Sequence, residues 1–323
     1  MTGMNSIWGK DHLERSDIWS SQLKEALMDD LQSQQWVNWL TEFPDGAQFN
    51  IASVGELSVD QLTEDVPLPD RRPDTGQFNF AINQAVGTKA YYTDKFMEDD
   101  FLAPQVVNAT PVKMKRALDE YVETEILKLH REQPDGLDDA NIINGAKHRY
   151  IGSGTGGRIT PEDFAYAKYA LRKANVPLTN LVAIVDPATA FQLETMPNLV
   201  NVSNNPQWEG IITSGITTGM RFIRNIYGFD VYESTFLDTL TTTNLKDYSG
   251  NGSAVTDGAV NLFFSAADKA TISPFMGAWR RMPKVVSWRD EGLRREYYQL
   301  TARFGLKLYR PENLVSVVTN TDV

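Results

Sequence analysis

The string Gly152-Ser153-Gly154-Thr155-Gly156-Gly157 satisfies GxGxxG, the pattern by which dinucleotide sites bring backbone N–H groups against a pyrophosphate. That chemistry needs a buried strand directly before the glycines and a helix directly after, so that phosphate meets a helix N-terminus. Here the preceding residues are AKHRYI, and Arg158-Ile159-Thr160-Pro161 postpones the helix. No Gly-Lys-Ser/Thr follows, which removes the other common phosphate loop. The glycines are expected to form a flexible hinge. His12, His130 and His148 stand in separate segments, with no pair at the spacing of metal ligands. No serine occupies a GxSxG elbow. Asp99-Asp100 and Asp138-Asp139 read as solvated carboxylate pairs. The chain has no cysteine, hence no thiolate ligand, disulfide or thiol nucleophile. No catalytic constellation, metal site or cofactor is expected, and the chain reads as non-enzymatic.

The elements that would have positioned a site look like scaffold. Between residues 159 and 234, Thr160 is an N-cap, Pro161 fits a first helical turn, and Glu162 and Asp163 suit the positive helix end. Phe164, Ala167 and Leu171 recur at helical spacing. Leu181 to Val185 is an apolar strand ending at Asp186-Pro187, a cap for a second helix, and GFDVYES is a further strand. Thr110-Pro111 opens a helix that ends before Pro134, with Met114, Leu118, Val122, Ile126 and Leu129 as its apolar stripe. It is about 33 Å long. From Tyr298 to Leu308 apolar residues alternate strictly with polar ones, and Arg289 to Gly292 is a turn pairing this strand with Val285 to Trp288.

Two regions point outward. Residues 10–43 carry Trp19, Leu23, Leu27 and Leu31 at spacings of four, followed by Trp36 and Trp39. So small an arm has no core of its own; its stripe lies on its own subunit, a neighbour or a scaffolding partner. Strand-like runs at Ala47 to Val54 and Gln77 to Val86 flank an acidic, proline-rich middle. Each arm of the resulting hairpin reaches about 50 Å at strand rise. A two-stranded ribbon is marginal in water, so it is expected to project and lie on another subunit. Thr241 to Gly258 reads as an exposed loop.

The capped helix leading into Val176-Pro177, VAIVDPATAFQL, GFDVYESTFL and NLFFSAADKATISPF together resemble the major capsid proteins of tailed bacteriophages, over roughly residues 46–318. The resemblance implies an α+β fold of the Hong Kong 97 type. Its expected parts are an N-terminal arm (1–45), an extended hairpin loop (46–90), a peripheral domain with a long spine helix and antiparallel strands (91–135 and 270–323), and an axial α/β domain (136–269). It implies self-assembly into hexamers and pentamers of an icosahedral virion head around double-stranded DNA, bound without sequence specificity. Implied partners are a separate scaffolding protein, a portal and a decoration or cement protein. The tract from Gly46 to Gly87 lacks lysine, so the isopeptide cross-link of some relatives is not expected. An encapsulin-like nanocompartment is the alternative, and a nucleotide-dependent enzyme built on the glycine string a more distant one.

Composition agrees. The net charge is −11, from 42 acidic and 31 basic residues, which excludes an ordinary non-specific DNA binder and suits a container for phosphates. No apolar run reaches the length of a membrane span, and the first residues lack the apolar core of a signal peptide. The hairpin tip sets Glu56, Asp60, Glu64, Asp65, Asp70 and Asp74 against Arg71 and Arg72. Residues 279–312 set nine cations, among them Arg280, Arg281, Arg289, Arg294 and Arg295, against four carboxylates. These residues, with Trp36 and Trp39, are the expected inter-subunit contacts.

Overall fold

The computed structural model describes residues 31, 33–40, 48–54, 61, 64, 75–100, 102–196, 222–252 and 254–321. In chain order the strands begin with β1 (Asn38–Leu40), β2 (Gln48–Val54), β3 (Thr75–Ala81) and β4 (Gln84–Thr93). Helices α1 (Asp94–Asp99) and α2 (Ala103–Leu127) follow, then the short β5 (Ile142–Ile143) and β6 (Ala146–Lys147), and β7 (Arg149–Ile151). Next come α3 (Pro161–Lys173), β8 (Leu181–Val185) and α4 (Pro187–Thr195). The chain closes with β9 (Phe222–Ile226), β10 (Phe229–Glu233), β11 (Thr239–Thr242), β12 (Val255–Ser265), β13 (Phe275–Asp290), β14 (Arg295–Leu308) and β15 (Leu314–Thr319).

Two sheets carry the fold. The first has the order β1-β13-β14-β4, with β13 and β14 joined as a long hairpin from Phe275↔Leu308 to Asp290↔Arg295. Its register slips between Arg281 and Lys284, where Pro283 offers no N–H to the ladder. Leu300, Ala302, Phe304, Leu306 and Leu308 of β14 are buried, as the alternation predicts. The second sheet runs β7-β15-β12-β8-β10-β9, with β11 beside β12, and mixes parallel and antiparallel pairs. Period two sorts its side chains between two cores. Val182, Ile184, Leu262 and Phe264 face α2, whereas Ala183, Val185 and Phe263 face the other way, with Phe164 of α3. There Phe164, Phe229 and Phe263 meet edge to face at centroid separations of 5.0 to 6.2 Å.

Several expectations shift. α2 begins at Ala103, not at Thr110, because Pro104 starts the helix and Pro111 is tolerated inside it. Pro111 forfeits one backbone bond, and the buried stripe Met114, Leu118, Val122 and Ile126 outweighs that loss. The last turn tightens to a 3-10 helix over Lys128–Glu132. The ribbon pairs Gln48↔Ala81 through Val54↔Thr75, so its second arm stops at Ala81 and not at Val86. Residues 84–93 belong to the first sheet, where β4 pairs with β14 from Gln84↔Phe304 to Thr93↔Arg295. Gly305 permits this change of direction, since a Cβ there would stand 2.5 Å from the Ala81 carbonyl oxygen. The final strand β15, expected among the peripheral strands, lies in the second sheet.

Candidate assembly surfaces

The positions that looked chemical prove architectural. The glycine string is a closed turn, not a flexible hinge. Gly154 N–H donates to Arg158 O at 2.8 Å and Gly157 N–H to Gly154 O at 2.9 Å, while a Cβ on Gly152 would collide with Arg158 O at 2.5 Å. The N-terminus of α3, where a phosphate would sit, is filled by the chain's own capping box of Thr160 and Asp163. Asp163 Oδ2 accepts from Thr160 N–H at 2.8 Å and from Ser153 N–H at 3.1 Å; burial raises its pKa while those bonds oppose the rise. Asp138 is no idle surface carboxylate. It accepts from the backbone N–H groups of Thr243, Asn244 and Leu245, and so fastens the start of the segment expected to be an exposed loop. Among the described residues no group of His, Cys, Asp and Glu has the arrangement of a metal site, and no helix is long and apolar enough to cross a membrane.

The polar joint where α2 meets the second sheet has no signature in the local sequence. Arg149 on β7 is wholly buried and donates to Gly136 O at 2.7 Å, His130 O at 2.8 Å and Gln133 Oε1 at 3.1 Å. Gln133 in turn donates to Leu314 O and accepts from the Ser316 hydroxyl, both on β15. His130 Nε2 lies 2.9 Å from Asp238 Oδ2, and Arg131 donates to both Asp238 oxygens. Burial opposes ionisation of Asp238, yet the bonds from His130 and Arg131 hold its pKa well below the usual carboxylate range. Burial lowers the pKa of both His130 and His148 below the ordinary 6.5. The unfolded chain therefore binds more protons just below pH 6.5. These two sites stabilise the fold fully above 6.5, and that contribution is lost as pH falls through 6.5 toward the lowered values. We expect the melting temperature to fall from pH 7.5 to 5.5, with a slope capped by two protons at about 2.7 kcal/mol per pH unit. A His130→Gln, His148→Gln chain that keeps the full slope in calorimetry would refute the assignment.

The outward-facing surfaces come next. α2 covers one face of the first sheet; on the other, the base of the ribbon covers Met276 and Ala278, and among the described residues the part toward the β13–β14 turn is left open. On the open face, cross-strand register aligns Trp288, Tyr297 and Tyr91, then Val286, Gln299 and Lys89. Lys89 Nζ sits 4.0 Å from the Tyr297 ring centroid and 5.0 Å from that of Trp288, and the Arg295 guanidinium lies 4.6 Å from the Tyr91 ring. Further along, Lys89, Arg280, Arg281 and Arg303 line a groove of about 610 Å³. The face is thus aromatic at one end and cationic at the other. Arg294 is exposed in the β13–β14 turn at φ 50°. Arg289, by contrast, is committed at home: it bonds Asp94 at 3.0 Å and Glu291 at 2.7 Å.

Among the described residues the ribbon is buried at its base and exposed beyond it. Phe80 and Ile82 are buried with Met276 and Ala278, whereas Asn50, Ala52, Thr75, Gly76 and Gln77 are exposed. Glu64 is exposed; Glu56, Asp60, Asp65, Asp70, Arg71, Arg72 and Asp74 lie outside the described residues, as do Trp19, Leu23 and Leu27. Trp36 corrects an expectation: it is a core residue of its own subunit, 5.2 Å from Tyr232 and 5.6 Å from Phe264 between ring centroids. Trp39 stacks on Trp279 at 5.2 Å. Ser33 N–H donates to the buried Glu123 on α2 at 2.8 Å, and β1 pairs in parallel with β13.

A long helix packed on the first sheet, a two-stranded ribbon beside it and a second, mixed sheet make up an α+β fold of the Hong Kong 97 type. Solved structures share the fold. The chain aligns with "Mycobacterium phage Che8" at TM-score 0.64 and 19% identity, covering 95% of this chain and 97% of that one. It aligns with "Cyanophage Pam1 capsid asymmetric unit" at 0.69 and 12%, covering 95% and 97%. It aligns with "Capsid structure of the Cyanophage P-SCSP1u" at 0.67 and 13%, covering 96% and 94%. Curated protein sequences yield no match. The family model described as "Phage capsid protein" matches residues 80–317, most of the length. The chain belongs to that family, as a major capsid protein that forms the phage head.

Proposed function

We propose that copies of this chain associate as hexamers and pentamers that close into an icosahedral head around double-stranded DNA. The observation that carries this reading is the ribbon of β2 and β3, which among the described residues packs on its own subunit at its base and is exposed beyond it. Two strands alone are marginal in water, so the exposed part gains its stability on a neighbouring copy. The acidic tip of the ribbon complements the cationic open face of the first sheet, which sets register more than raw affinity. Obligate interfaces of this sort bury about 2,000 Å² or more, and many repeats make a shell strong without covalent links. The work done is geometric and needs no catalytic group. A separate scaffolding protein, a portal and a decoration protein are the partners such a shell takes, and its DNA is held without base readout.

The test is charge reversal at the turn. Arg294→Glu with Arg295→Glu leaves the buried core untouched; the subunit loses only the Arg295 contact with Tyr91, worth about 0.5–1 kcal/mol. Negative-stain microscopy is expected to show closed particles reduced by more than about tenfold, because like charges across an interface cost several kcal/mol. The melting curve of the isolated subunit stays near that of the parent. A double variant that assembles as well as the parent excludes this pairing.

A further inference from the structure

The irregularity in β13 puts two neighbouring arginines on one side of the first sheet. Along a regular strand successive side chains alternate between faces. Trp279 pairs with Phe304 and Arg281 with Arg303, so Arg280 is the extra residue of a bulge, two residues standing against one. Arg280 and Arg281 line the same groove, which Arg303 of β14 and Lys89 of β4 line from the other strands. Such a bulge re-aims a side chain and disrupts the ladder in doing so. Like charges directly opposed across strands, as Arg281 and Arg303 are, also work against folding. Among the described residues that line the groove there is no carboxylate. The sheet thus gathers positive charge at a cost to its own stability, on a chain whose net charge is −11.

The floor of the groove is bare. Ala85 and Gly87 are exposed on this face, and a Cβ on Gly87 would stand 2.7 Å from the Leu300 carbonyl oxygen. Gln299 and Thr301 set neutral donors beside the cations. The volume, about 610 Å³, is that of a small-molecule cleft. Walls of one sign focus the potential inside it. Guanidinium forks match the oxygens of phosphate groups two at a time. A compact anion of several charges is the ligand such a recess takes. A DNA duplex needs cations strung along its backbone, and past Lys89 the face turns to Tyr91, Tyr297 and Trp288. Arg295, where the ribbon pairing is proposed, lies eight residues along β14 from Arg303, about 26 Å away.

We propose that this groove binds an oligophosphate anion, gripped by Arg281 and Arg303 with Arg280 and Lys89 at its flanks, and that the bound anion stabilises the subunit. The site is complete in one free chain and does not rest on the shell reading. Arg281 and Arg303 are both exposed, so Arg281→Gln and Arg303→Gln leave the core intact. Without ligand, either variant is expected to melt at or slightly above the parent, because the opposed pair is relieved. With tripolyphosphate the order reverses. The parent's melting temperature climbs with ligand concentration, and each variant binds about tenfold more weakly in titration calorimetry. Sodium sulfate at equal ionic strength and a short DNA duplex at equal phosphate concentration are run beside it. A parent that responds to tripolyphosphate no more than to sulfate overturns the inference, as do variants that respond like the parent. A duplex, or a synthetic peptide of residues 55–74, that binds through these two arginines more tightly than tripolyphosphate overturns it in favour of a macromolecular occupant. Since no particle is needed for the measurement, a chain that never builds shells would sink the shell reading and leave this one to its own result.

Discussion

Arg149→Met is expected to destabilise the subunit by about 1–3 kcal/mol at the joint between α2 and the second sheet. Methionine fills similar space and removes the desolvated charge, which alone would favour the variant. The acceptors decide the sign. Gly136 O, His130 O and Gln133 Oε1 all accept from this one guanidinium; Gly136 is exposed and can turn to water, whereas His130 and Gln133 are buried. Each buried acceptor left without its donor costs about 1–3 kcal/mol. Gln133 Oε1 keeps its Ser316 partner and His130 O its bond from the Gln133 N–H at 3.2 Å, so the total lies below a simple sum. Arg149→Lys separates fork from charge: an ammonium reaches one or two of the three acceptors, so its loss is intermediate. Denaturant midpoints of the isolated subunit read both values. Near-parent stability for Arg149→Met would mean the joint is not held by these bonds.

What the sequence could disclose divides along the range of the interactions. Local signals were legible: Thr160-Pro161 caps α3, Asp186-Pro187 starts α4, and the alternation from Tyr298 buries one face of β14. Each is decided within a turn or two of chain. Thr110-Pro111 imitates an N-terminus inside α2, and only the depth of the buried stripe shows that the helix carries through. The change of direction at Ala81 was hidden as well. It depends on Gly305, more than two hundred residues away, leaving room for the Ala81 carbonyl. The surfaces proposed for assembly are half legible. The opposite charges of ribbon and C-terminal strands stand in the composition of each segment. That Arg289 is already paired with Asp94, and Trp36 already spent in the core, is a matter of tertiary distance. Arg149 gave no signal, since a lone arginine in AKHRYI looks like any exposed cation until its neighbours are in place.

Replacing residues 55–74 by Asn-Gly is expected to abolish closed shells while leaving the subunit folded, or more stable than before. The register makes the exchange possible. Val54 and Thr75 are a directly opposed pair, so a two-residue turn can close β2 onto β3 without moving either strand. Cutting the connection from twenty residues to two lowers the entropy cost of loop closure by up to about 2 kcal/mol, and the buried base at Phe80 and Ile82 is untouched. If the ribbon were a surface insertion with no partner, that gain would be the whole effect, and particles would form as well as or better than before. If its outer half completes a neighbouring copy, assembly and stability move in opposite directions. Calorimetry reads one quantity and sedimentation with microscopy the other, on the same preparation. A chain that melts higher and still builds full-sized heads refutes the exported-ribbon mechanism; one that melts higher and stays as free subunits places the missing stability between copies.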